Sequence, residues 1–152
     1  MRIRRSGTAL VAAAFCCWGS VYGQQKWEAG IAKVIPANNK VPGTAFIVSV
    51  GDGRAYLATA SHVVEAGEPV QVEFRADALK AYKATVHRVE AGEARGFALL
   101  VVENPPRAVL ALMPSTDSPQ VGDPVVVPGY PAETAGIFFS PPSTIAGVAG
   151  QD

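Results

Sequence analysis

The sequence predicts an all-β protein, on three observations. From Gln24 onward, short β-prone runs alternate with Gly, Pro and Asp; an Asp52-Gly53 pair separates two apolar runs; and no apolar stripe of helical spacing extends over three turns. Short strands at close spacing, with turn residues between them, are the pattern of sandwiches and barrels.

The first 23 residues stand apart from that pattern. Arg2, Arg4 and Arg5 form a positive head, Thr8 to Trp18 an apolar run of 11 residues, and Gly19 to Gly23 a tail rich in small residues. This is the layout of a secretory signal peptide, and the run falls short of the roughly 20 apolar residues a membrane-spanning helix needs. Val21 and Gly23 occupy positions −3 and −1 for cleavage before Gln24. A core helix at the N-terminus is the other arrangement that would bury this run. Cys16 and Cys17 lie inside it, with no Leu-x-Gly-Cys pattern for lipidation, so cleavage leaves about 129 residues and no cysteine. An exported chain without disulfides is held by its core alone, and a chain of this size buries roughly two-thirds of its unfolded surface.

Thr44 to Val50 and Ala55 to Thr59 read as strands joined by Gly51-Asp52-Gly53, a strong hairpin signal. Between Pro69 and Phe74, Val70, Val72 and Phe74 alternate with Gln71 and Glu73, which predicts a half-buried strand. Ala81 to Val89 is a further strand. Phe97 to Val102 is continuously apolar and predicts a strand buried on both faces. Asn104 to Gln120 carries Pro and Ser without periodicity and reads as a linker. Pro124 to Val127 and Ile137 to Ser140 are short strand candidates. No internal repeat is present.

Composition narrows the function. Apolar residues make up 49% and charged residues 17%, a globular balance. After Gly23, 10 basic residues face 13 acidic ones, and no basic patch follows Arg5, which argues against nucleic acid. No His/Cys/Asp cluster has metal-ligand spacing, and no cofactor is implied.

Two histidines remain as candidates for chemistry. His87, in Val86-His87-Arg88, reads as a structural or solvent-exposed residue. His62 stands in a richer setting: Gly43-Thr44-Ala45-Phe46-Ile47-Val48, then Tyr56-Leu57-Ala58-Thr59-Ala60-Ser61-His62-Val63-Val64. This resembles the histidine motif of trypsin-like serine peptidases, particularly the bacterial exported type, with Ala45 where the family has glycine and Ser61 where it has alanine. Phe97 to Val102 resembles the family's Asp-Leu-Ala-Leu-Leu-x-Val strand. Val121-Gly122-Asp123-Pro124-Val125 and Pro128-Gly129-Tyr130-Pro131 resemble the opening of its second barrel. The resemblance runs from about Gly43 to Ile145.

The resemblance implies that His62 is the catalytic base, taking the serine proton and returning it to the leaving amine. It implies a first antiparallel barrel over residues 33–102, a linker over 103–120 and a partial second barrel over 121–152, with a polypeptide bound in the cleft between barrels.

Two departures bear on activity. Aligned on the family strand, Gly96 stands where the aspartate belongs, and glycine can neither orient nor stabilise an imidazolium. Glu90 and Glu93 lie nearby in sequence, as substitutes for it or as solvated loop carboxylates. No Gly-x-Ser-Gly-Gly stretch exists, and Ser115, Ser118, Ser140 and Ser143 lack its glycines. The oxyanion donors belong to the same absent stretch. Loss of the nucleophile alone costs on the order of 10⁶ in kcat, and loss of the aspartate about 10⁴ to 10⁵.

The expectation is therefore a secreted trypsin-like serine peptidase domain, truncated and inactive as it stands. The alternative is a non-catalytic pseudo-peptidase that binds a polypeptide or partner protein. An enzyme of altered chemistry and an unrelated exported β-domain are the remaining readings. DNA beyond the Asp152 codon encoding Gly-x-Ser-Gly-Gly would favour a gene fragment, whereas Gly96 keeps the pseudo-peptidase open, since truncation does not explain a lost aspartate. N-terminal sequencing of the expressed protein should give Gln24 or a residue close to it; an intact Met1 on a cytoplasmic product would refute export.

Overall fold

The computed structural model describes residues 27–37, 41–64, 68–90, 96–131 and 136–147. The segment read as a signal peptide, its two cysteines and Glu93 lie outside these residues.

The strands are β1 (Ile31–Pro36), β2 (Gly43–Gly51), β3 (Arg54–Ala60), β4 (Val70–Phe74), β5 (Ala81–Val89) and β6 (Phe97–Glu103). They close into one antiparallel barrel in the order β1-β2-β3-β6-β5-β4. The β2–β3 hairpin turns on Asp52 (φ 51°) and Gly53 (φ 73°), both left-handed. That backbone matches the twist of paired strands and suits an Asp-Gly pair, because glycine has no Cβ to clash and a short polar side chain tolerates the region. Register shifts between Ile47 and Ser49 in β2 and between Val86 and Arg88 in β5 mark bulges, which bend strands enough to wrap a barrel.

Alternation sets the core. Ala32 and Val34, Ala45 and Ile47, Ala55 and Leu57, Val70, Val72 and Phe74, Tyr82 and Ala84, and Ala98, Leu100 and Val102 face inward and belong to one cluster. Val64 follows the His62 turn and plugs the end of the barrel beside it. Val109 joins the same cluster from beyond β6, and Leu110 N donates to Ala29 O ahead of β1, which places Val109 at the opposite end. The buried Thr59 hydroxyl is satisfied by donating to Thr44 O at 2.7 Å.

β6 departs from the expectation drawn from its composition. Only Ala98, Leu100 and Val102 are buried, Leu99 and Val101 are half-buried, and Phe97 is 65% exposed. A closed barrel has a single interior, so an apolar run in one of its strands buries one face, and the other depends on what lies outside. The stretch after β6 is likewise more than a tether. Beyond the Val109 plug, Leu112 N donates to Ile47 O at 2.8 Å, which satisfies a β2 carbonyl next to the bulge.

Beyond residue 120 the described chain forms two two-stranded ribbons and no second closed barrel. The expected strand over Pro124 to Val127 is shortened to β7 (Pro124–Val125), which pairs with β10 (Ser143–Thr144), and a further strand, β8 (Pro128–Gly129), pairs with β9 (Phe138–Phe139). Pro124 and Pro128 have no N–H to donate, which keeps each ribbon short. The β8–β9 ribbon is extended one step by Ser140, whose N donates to Val127 O and whose Oγ accepts from Val127 N at 2.8 Å.

The β8–β9 ribbon is tied to the first region at two points. Tyr130 N donates to Thr44 Oγ1 at 2.8 Å, and the Trp27 and Phe139 rings meet edge to face at 5.3 Å. Ile31 is 0% exposed although it lies outside the interior cluster, so the outward side of β1 is covered as well.

The two faces of β6 make a direct comparison. Leu100→Ala should destabilise the protein by about 2–5 kcal/mol in urea denaturation, and Phe97→Ala by less than about 1 kcal/mol. Similar costs for the two would show that the outer face of β6 is packed after all.

Candidate functional site

His62 is placed by the way β3 ends. The strand runs to Ala60, and Ser61–Val63 then form a single 3₁₀ turn whose backbone bond runs from Val64 N to Ser61 O. Val64 on one side of this turn and Thr59 on the other are buried, so the turn is fixed at both ends while His62 itself is exposed. The imidazole opens onto a groove of about 650 Å³, walled by Val41, Pro42, Gly43, Thr44, Ala60 and Val63. The β2 residues enter through the pairing of Ala45 with Thr59, which sets Thr44 beside Ala60.

The two mild departures in the histidine motif have local explanations. Ala45 points inward at 0% exposure, so its methyl adds to the core and does not obstruct the groove. Ser61 is bound through its backbone N, which donates to Gly96 O at 2.8 Å.

That bond also locates Gly96. β3 and β6 pair from Arg54↔Glu103 to Ala60↔Phe97, and the Ser61–Gly96 bond continues the ladder by one step. Gly96 is buried against the turn that carries His62, with no carboxylate of its own.

Glu90 does not stand in for one. Its N donates to Phe97 O at 2.9 Å, and its Oε2 accepts from Phe97 N at 2.8 Å. Both bonds are on the β5 side of β6, whereas His62 is on the β3 side, so the Glu90 carboxylate closes the end of the β5–β6 pair across the strand from the imidazole.

The four serines considered from the sequence serve turns. Ser115 Oγ accepts from Asp117 N, Ser140 Oγ accepts from Val127 N, Ser143 Oγ donates to Pro141 O, and Ser118 O accepts from the Gln120 side chain. None of them lines the His62 groove. His87 is exposed at the β5 bulge, away from the groove. Among the described residues no group of three or more His, Cys, Asp or Glu side chains is placed to hold a metal ion.

Sequence reasoning missed three contributors. Val41 and Pro42 line the groove from a stretch with no strand pattern. Thr44 links the groove to the second region through Tyr130. The Glu28–Arg75 ion pair secures the approach to β1, with Glu28 almost fully buried. Tyr130 sits near this pair, and burial pushes its phenol above the ordinary range, with Arg75 opposing that shift. The only sequence signal for any of these was that Thr44 lies inside the motif.

A closed six-stranded antiparallel barrel, with an exposed histidine on a short turn at one mouth and a second β-region bonded to β2 through Thr44, defines a class. Residues 43–150 match the family model of the trypsin-like peptidase domain, and the chain belongs to that family. The fold is similar to the crystal structure of the Rv3671c protease from M. tuberculosis in its active form, with a TM-score of 0.61 and 25% identity. That match covers 95% of this chain and 60% of the protease chain. No curated protein matches this sequence.

Restoring the missing carboxylate should be visible at the imidazole. Gly96→Asp is expected to move the His62 ring-proton signals, because the new carboxylate would stand beside the turn that carries the imidazole. Glu90→Ala should leave those signals where they are while costing about 1 kcal/mol of stability. NMR of the imidazole protons checks both; a change on Glu90→Ala would show that its carboxylate does reach His62.

Proposed function

We propose that the chain is an exported trypsin-like serine peptidase domain in which His62 occupies the position of the catalytic base, and that these 152 residues by themselves hold a polypeptide without hydrolysing it. One observation carries the reading: His62 is exposed at the end of a rigid barrel strand, in an open groove, with Gly96 bonded to the preceding residue where an aspartate would have to stand.

Acyl transfer by this family's mechanism needs a nucleophile, a base, an orienting carboxylate and donors for the developing oxyanion. Of these four, the described residues supply the base position alone. A nucleophile loss near 10⁶ multiplied by even part of an aspartate loss leaves nothing above background. Residual catalysis in triad mutants is credited to the oxyanion hole and to binding, and the stretch that would furnish the oxyanion donors is absent from this sequence.

Binding is a weaker demand than catalysis. An extended polypeptide needs a groove, an apolar wall and backbone partners, and the groove beside His62 is open and of suitable size. The ladder through Ser61 and Gly96 supports the non-catalytic reading, because it sets a residue without a carboxylate beside the turn that carries His62. Export rests on the arrangement of residues 1–23, with a mature chain beginning near Gln24.

Incubation with an unfolded, fluorescently quenched protein substrate tests this directly. No turnover that depends on His62 is expected, and a binding assay with the same substrate should show association weakened by His62→Ala. Hydrolysis abolished by His62→Ala in a rigorously purified sample would overturn the proposal.

A further inference from the structure

Thr44 belongs to two surfaces at once. It stands on the wall of the His62 groove, and it lines a second groove of about 460 Å³ together with Phe46 of β2 and residues of the β8–β9 ribbon. Its side chain and its backbone make different bonds. Thr44 Oγ1 accepts from Tyr130 N at 2.8 Å, which ties the ribbon to β2. Thr44 O accepts from Thr59 Oγ1 at 2.7 Å.

Each bond is set by its surroundings. β8 comes this near because residue 129 is glycine: a Cβ there would lie 3.2 Å from Thr44 Oγ1, tighter than an ordinary van der Waals contact. Thr59 is buried and lies opposite Ala45 in the β2–β3 ladder, so its hydroxyl is directed at the carbonyl one residue back. Thr59 is followed by Ala60 and then by the 3₁₀ turn that carries His62. A continuous path therefore runs from β8 through Thr44 and Thr59 to that turn.

The two ends of the path differ in stability. Thr59 is part of a closed barrel, whereas the second region has strands of two residues and leaves Val127 and Phe138 exposed. A segment with few buried apolar contacts opens at lower free energy than a core strand. Coupling between two places needs an element with two arrangements that both places bias, and docking of β8 on Thr44 is such an element.

We infer that Thr44 is a positioning residue for His62: its hydroxyl carries the docking of the second β-region to the turn that bears the imidazole, and undocking relaxes that turn. The use of this relay in holding a polypeptide rests on the reading of the groove given above; the relay itself does not.

The test uses the full chain, isotope-labelled at histidine and backbone nitrogen, with no polypeptide added. Thr44→Val keeps the branched shape and removes the acceptor, so the Tyr130 amide should exchange about tenfold faster, and Thr44→Ser should restore its protection. Phe139→Ala loosens the ribbon at its other tie, the contact with Trp27, and Phe139 is not among the described residues that line the His62 groove. In the parent chain and in Thr44→Ser, Phe139→Ala should move the His62 ring signals; in Thr44→Val it should leave them in place. The effect of Phe139→Ala is compared within each background, since a change on the groove wall moves ring signals by itself. Dispersion of the backbone spectrum reports folding, and Thr44→Ala, which also lacks the hydroxyl, replaces Thr44→Val if that variant does not fold. An unchanged Tyr130 amide in Thr44→Val, an equal movement of the His62 signals with valine at 44, or no movement in the parent would each overturn the relay. Coupling of this kind in a chain that binds no unfolded protein would sink the polypeptide reading and leave the role of Thr44 standing.

Discussion

The pairing of β1 with β4 is the constraint on which the rest of the structure depends. Five residue pairs, from Ala32↔Phe74 to Pro36↔Val70, join the first strand to the fourth and close the barrel. Without that seam, β1 and β4 would be open edges, with unpaired backbone and an interior exposed along its length. With it, the apolar halves of six strands share one interior. The outward side of the seam is supported by polar contacts: Lys33 lies 3.6 Å from Glu73, directly opposite it in register. Such a pair contributes little by itself. The seam is held chiefly by Ala32, Val34, Val70, Val72 and Phe74 on its inner side.

Closure is also what makes the site possible. A histidine can act, or bind, in a defined geometry only if its backbone does not move, and the turn bearing His62 is held between Thr59, Val64 and the Ser61–Gly96 bond. In a loose site a distant carboxylate could swing in; here the Glu90 carboxylate is committed to Phe97 N on the other side of β6. The second β-region meets this frame through Tyr130 and Thr44, and through Trp27 and Phe139. Its strands are two residues long, and Val126, Val127 and Phe138 remain exposed, so it has little buried apolar surface of its own.

Much of the barrel was legible because alternation and turn chemistry are local signals. The Asp52-Gly53 turn and the β5 limits at Ala81 and Val89 can be read from adjacent residues. β6 could be located but not its burial, since whether Leu99 and Val101 are covered depends on what lies outside the barrel. β1 begins at Ile31, two residues before the expected start of the barrel, in a stretch whose alternation is blurred because outward-facing Ile31 is also covered. Val109 and Leu112 looked like linker residues because their partners, the core and Ile47, are remote in sequence. At the site, the histidine motif is contiguous and so was readable, and the place of Gly96 followed from aligning one strand. The commitment of Glu90 to Phe97 and the Val41–Val63 groove were hidden, because each arises from strand register.

Native-state hydrogen exchange on the purified chain tests the dependence on barrel closure most directly. If the seam is intrinsic, amides of β1 and β4 exchange only with global unfolding, with the same opening free energy as β3 and β6, while amides after Val121 exchange through local opening. Early, independent exchange of β1 and β4 would contradict closure as the organising constraint. Equal protection after Val121 would contradict the dependence of the second region on the barrel.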